Sequence, residues 1–115
     1  MTSSRQALSV DDRDRALRSL PRWSVLTGVT SGDSPAPTSE LHRTYRFHSF
    51  DDALAFMQAA APVINRIDHH PRWENSYRTV AVWLSTWDAG HSITALDVDL
   101  ARHLDETAAR FLPGE

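Results

Sequence analysis

Residues 68 to 87 read D-H-H-P-R-W-E-N-S-Y-R-T-V-A-V-W-L-S-T-W, and the last eight of them set the fold class. Val80, Val82 and Leu84 fall on one side of that run and Ala81, Trp83, Ser85 and Trp87 on the other, the two-residue period of a strand buried on one face. The preceding W-E-N-S-Y predicts its antiparallel partner. Upstream, E-L-H-R-T-Y-R-F repeats the pattern, with Leu41, Tyr45 and Phe47 at alternate positions. Trp23, Val25 and Leu26 lead into a further strand expected to end near Thr30. Between the two lies S-G-D-S-P-A-P-T-S, a loop by its turn residues and expected to be mobile. The first hairpin is therefore predicted over residues 23 to 47.

Helical signals flank and separate these pairs. Ser9 reads as the N-cap of V-D-D-R-D-R-A-L-R-S-L, with acids in the first turn and Val10, Leu17 and Leu20 on one face; Pro21 stops it. Ser49 caps a central helix in which Phe50, Leu54, Met57, Ala61 and Ile64 repeat at helical spacing, and Pro62 is expected to kink it or loosen its last turns. After the loop D-A-G-H-S-I, Thr94 caps a last helix with Asp97 at its third position. Leu96, Leu100, Leu104, Ala108 and Phe111 form its apolar stripe, and Pro113 and Gly114 end it. The order helix, two strands, helix, two strands, helix predicts an α+β fold, a four-stranded antiparallel sheet with helices on one face. Residues 1–8 are expected to be a flexible tail and residues 9–115 a single domain.

Composition narrows the function classes. A chain of 115 residues, 41% hydrophobic and 23% charged, has room for one core. A net charge of -3 gives no basic footprint, so neither direct nucleic-acid binding nor an anionic membrane partner is expected. The absence of cysteine excludes disulfides, thiolate metal sites and a cysteine nucleophile, and fits a reducing cytoplasm. No segment has the apolar run of a signal peptide or a membrane span. Four tryptophans and six histidines remain, residue types suited to gripping a flat heterocycle and moving protons.

The densest group of reactive side chains is D-H-H-P-R-W, at the exit of the central helix. Pro71 restricts the backbone before it, so His69 and His70 project in different directions and do different work. Histidine is the residue type suited to giving or taking a proton near neutral pH. A metal site from His69, His70, His91 and Asp88 is disfavoured, because adjacent histidines rarely chelate one ion and no H-x-x-x-H occurs. From the residues alone, Trp83 and Trp87 serve equally well as packing groups, Tyr77 as a strand residue, and Asp97 as an acid at a helix N-terminus.

The chain resembles the pterin-4a-carbinolamine dehydratases. The resemblance is carried by H-H-P-R-W-E-N-S-Y with Tyr77 at the aromatic position, by V-A-V-W-L-S-T-W-D-A-G, by Asp97, and by S-F-D-D-A-L-A-F-M at the opening of the central helix. It covers nearly everything after Ser9. Two positions depart from the family pattern: Asn65 stands where an acid is usual, and Trp87 where histidine is common. The resemblance implies removal of water from a 4a-hydroxytetrahydropterin, giving quinonoid dihydropterin, with no metal and no cofactor. His69 is then the general acid/base and His70 the residue that orients substrate. Trp87, Asp68, His91 and Asp97 make up the substrate-binding set: Trp87 stacks, Asp97 fixes the pocket by hydrogen bonds, and His91 offers an imidazole in place of the one Trp87 lacks. The partners expected are the pterin and a second copy of the chain, as a homodimer or dimer of dimers. The alternative is a catalytically degenerate member acting as a dimeric pterin-binding or protein-interaction module.

Overall fold

In the computed structural model, which describes residues 6–28 and 38–113, helix α1 (Val10–Leu17) leads to strands β1 (Ser24–Thr27) and β2 (Ser39–Arg46). Helix α2 (Phe50–Ile67), strands β3 (Arg72–Ser76) and β4 (Thr79–Leu84), a 3-10 turn (Trp87–Ala89) and helix α3 (Ala95–Ala108) follow. All strand pairs are antiparallel and the spatial order is β1-β2-β4-β3, so β2 and β4 are central and β1 and β3 are edges. The expected fold is the observed one. The loop expected to be mobile, and the strand end near Thr30, lie largely outside the described residues.

Local chemistry starts each helix where the sequence places it. Ser9 Oγ accepts from the Asp12 N–H at 3.1 Å and Ser49 Oγ from the Asp52 N–H at 3.1 Å. Thr94 and Asp97 form a reciprocal capping box. On the sheet, Leu41, Tyr45 and Phe47 from β2 and its end, with Val80, Val82 and Leu84 from β4, point at the helices and are buried. Arg43 shares that inward row. It is tolerated because Asp105 on α3 takes its guanidinium at 2.8 Å, and the same carboxylate accepts from the Tyr45 hydroxyl at 2.5 Å and Trp23 Nε1 at 3.0 Å.

Several expectations need correction. The buried stripe of α2 is Ala53, Phe56, Ala60 and Ile64, while Phe50, Leu54 and Ala61 face solvent and Met57 is half-buried. Both phases of this alanine-rich helix are apolar, and the phase carrying small residues lets the helix lie close to the sheet around Phe56. Val10 on α1 is likewise exposed, leaving Leu17 and Leu20 to pack. Pro62 lies inside α2, which runs through it to Ile67. Trp87 leaves β4 for the 3-10 turn, and Phe111 is half-buried beyond the end of α3. At the described end of the expected tail, Ala7 bridges Thr94, and the Leu8 N–H donates to the Ile93 carbonyl at 2.9 Å.

Candidate functional site

The site begins where α2 ends. Asp68 takes the left-handed conformation, φ 57° and ψ 44°, and its N–H closes the helix on the Ile64 carbonyl at 2.9 Å. Aspartate is one of the few residues that visits this region readily, so the helix stops there and the chain turns sharply. The turn sends the two following imidazoles into different surroundings, as the proline-restricted backbone predicts.

His69 goes inward and is only 8% exposed. Its Nε2 lies 2.6 Å from Asp97 Oδ1, and Asp97 is wholly buried. A carboxylate can only accept, so Nε2 carries the hydrogen and the lone pair of a neutral ring is at Nδ1. The other carboxylate oxygen, Oδ2, accepts from the Thr86 hydroxyl at 2.8 Å and the Thr94 N–H at 2.8 Å, and the two threonine hydroxyls meet at 2.7 Å. The capping box of α3 and the orientation of His69 are thus one network.

His70 goes outward and is exposed. Its Nε2 is 3.3 Å from Asn65 Oδ1, so the residue at the departing family position still holds this ring through a neutral hydrogen bond. His70 and Pro71 lie between two hollows. The smaller, of about 150 Å³, is bounded by Ile64, Asn65 and Trp73. The larger, of about 310 Å³, lies on the sheet face away from the helices and is lined by Glu40, Arg72, Trp83 and Ser85 together with Trp87 and His91. That volume is at the lower end of the range usual for small-molecule sites.

Of the residues singled out from sequence, His70, Trp87 and His91 therefore meet around one cavity. His69 and Asp97 form the buried pair, and neither lies in the cavity wall. Asp68 is exposed, serves as the helix cap, and is not in the wall either. Tyr77 sits in the β3–β4 turn at φ 52°, pointing into solvent. Trp87 is 75% exposed, its ring edge-on to His91 with centroids 5.1 Å apart. His91 Nδ1 is buried without a hydrogen-bond partner.

Other wall residues lie outside the site set expected from the sequence. Glu40 on β2 is a buried acid beside the cavity, with Arg72 Nη2 and His91 Nε2 each 3.7 Å from its Oε2. Trp83 on β4 is flanked from the neighbouring strands by the Arg72 guanidinium, 4.2 Å from its ring centroid, and by the stacked ring of His42 at 4.8 Å. Alternation put Trp83 on the outer face, but only strand register brings Arg72 and Glu40 to it. Among the described residues, no three His, Asp or Glu side chains gather as they would around a metal ion.

Comparison with known proteins gives a consistent result. The family described as Pterin 4 alpha carbinolamine dehydratase matches residues 6–107. A protein of Rhodopseudomonas palustris (strain BisB18) is 42% identical over 106 residues, covering 92% of this chain and 95% of that protein. One of Bradyrhizobium sp. (strain ORS 278) is 41% identical over 104 residues, covering 90% and 94%. Both are named, provisionally, as pterin-4-alpha-carbinolamine dehydratases. The crystal structure of a transcriptional coactivator/pterin dehydratase from Brucella melitensis matches with a TM-score of 0.73 at 31% identity, covering 90% of this chain and 99% of that one.

Proposed function

The chain belongs to the pterin 4 alpha carbinolamine dehydratase family, and from that premise we propose that it dehydrates 4a-hydroxytetrahydropterin to quinonoid dihydropterin, recycling a pterin cofactor in the cytoplasm. The observation that carries this reading is the 2.6 Å bond between His69 and Asp97. It gives one imidazole the carboxylate partner that fixes tautomer and direction in acid/base catalysis.

In the reaction the C4a–O bond breaks, the hydroxyl gains a proton and departs as water, and the ring N–H beside C4a loses its proton as the C=N bond forms. His69, held through Nε2, exchanges these protons through Nδ1. His70, steadied by Asn65, binds and orients the substrate. Trp87 covers a face of the ring system, and His91 stands ready as a second imidazole. Asp97 is a positioning residue acting through His69, and Asp68 shapes the turn that presents both histidines. One such proton-transfer group contributes about a hundredfold to ten-thousandfold, enough for a carbinolamine that already loses water unaided.

The test is turnover with enzymatically generated 4a-hydroxytetrahydropterin. Carbinolamine decay should accelerate in proportion to protein concentration; no acceleration overturns the proposal. Asn65 and Trp87 favour a second reading, in which the protein binds pterin without turning it over, and pterin binding in the absence of acceleration would establish it. We further propose a homodimer that pairs or covers one of the edges β1 and β3. Light scattering showing only monomer at micromolar concentration would contradict that.

A further inference from the structure

Glu40 lies on the sheet face opposite the helices, yet it is only 5% exposed. The Arg72 guanidinium and the His91 imidazole both approach one oxygen, Oε2, at 3.7 Å. That is beyond N–H···O hydrogen-bonding distance. Arg72 is itself mostly exposed, and an ion pair of this kind contributes little. The described residues thus supply Glu40 with nearby positive charge but with no donor at bonding distance. Its oxygens are not among the side-chain atoms sealed from solvent without a partner, so they open on the cavity and can accept from whatever occupies it.

The carboxylate stands in the wall of the same cavity as His70 and Trp87. Its chemistry selects a flat ligand edge bearing two parallel N–H groups, since a carboxylate accepts such a pair as it accepts a guanidinium. We infer that Glu40 is the residue that reads the 2-amino-4-oxopyrimidine edge of the pterin, accepting from N3–H and from the 2-amino group. The inference rests on the pterin reading above and adds the orientation of the ligand to it. With that edge at Glu40, His70 and Trp87 in the same wall are left for the reduced ring.

The discriminating ligand is lumazine, the 2,4-dioxo analogue, which replaces the 2-amino donor with an acceptor and sets oxygen against oxygen at Glu40. Calorimetric titration of the full chain with pterin and with lumazine should show pterin bound at least about tenfold more tightly, as expected for a hydrogen bond to a charged group. Glu40→Gln can present an N–H to the lumazine carbonyl, so it should lose about ten- to a hundredfold in pterin affinity while gaining affinity for lumazine. Equal binding of both ligands by the unmodified protein overturns the inference without recourse to any variant. A Glu40→Gln protein that keeps the original pterin preference overturns it while leaving the dehydratase proposal standing. An unmodified protein that binds neither pteridine overturns both.

Discussion

His69 and Glu40 are both ionisable side chains with little access to solvent, and their surroundings differ in kind. Around His69, the groups on α3 and at the end of β4 answer one another: Asp97 accepts from the imidazole, from a threonine hydroxyl and from a backbone N–H. Around Glu40, a guanidinium and an imidazole stand near, and among the described residues no donor is in bonding reach. The first region is completed by the fold alone and holds one ring still. The second is completed only when a ligand arrives. A satisfied buried network holds a side chain in place, whereas an acid open to a cavity with no protein donor in reach is available to a ligand.

The sharpest way to break this contrast is His69→Ala. Turnover should fall by about a hundredfold to ten-thousandfold. Because His69 is a buried partner of a buried acid, stability should also fall, by about 1–3 kcal/mol for the oxygen left unpaired. Unchanged turnover in a denaturant-characterised, folded variant would remove the acid/base assignment.

Asp97→Asn probes the same region from its other side. The amide must set its NH₂ group either against the Thr94 N–H, where a hydrogen bond is lost, or against His69 Nε2, which then has to accept, so that the ring changes tautomer and Nδ1 no longer carries the lone pair. Loss of about 1–3 kcal/mol in chemical denaturation is expected. Turnover should fall while the Michaelis constant stays near its original value, since Asp97 acts through His69 and not on the ligand. A rise in the Michaelis constant alone would place Asp97 in the binding set instead.

At the cavity, Trp87→Ala should leave stability unchanged, because the indole is three-quarters exposed, and should weaken pterin binding by about 1–3 kcal/mol, the range for stacking on an aromatic side chain. Normal binding would mean that Trp87 serves a partner surface. The smallest effect is expected for His70→Ala, whose ring has one long bond to Asn65. The Michaelis constant should rise several-fold, about 1 kcal/mol, with little change in the turnover number. A variant that instead lowers only the turnover number would exchange the roles of the two histidines.

The sequence by itself determined the class of fold and the start of every helix. Alternation in Val80–Leu84 and in Leu41–Phe47, and the caps Ser9, Ser49 and Thr94, are local properties, decided within a few residues along the chain. The pair His69-His70 before Pro71 was legible for the same reason: neighbouring residues share one backbone constraint. What tertiary structure decided was everything that depends on a second element. Which of two apolar phases α2 buries is set by where the sheet lies. Arg43 could occupy an inward position because Asp105 arrives from α3. The bond from His69 to Asp97 joins residues 28 apart in the chain, and Glu40, Arg72 and His91 meet only once strand register and the turn after β4 are fixed. Side-chain period is written along one segment; the partners of a buried charge are chosen by the segments packed against it, and no pattern within that segment records them.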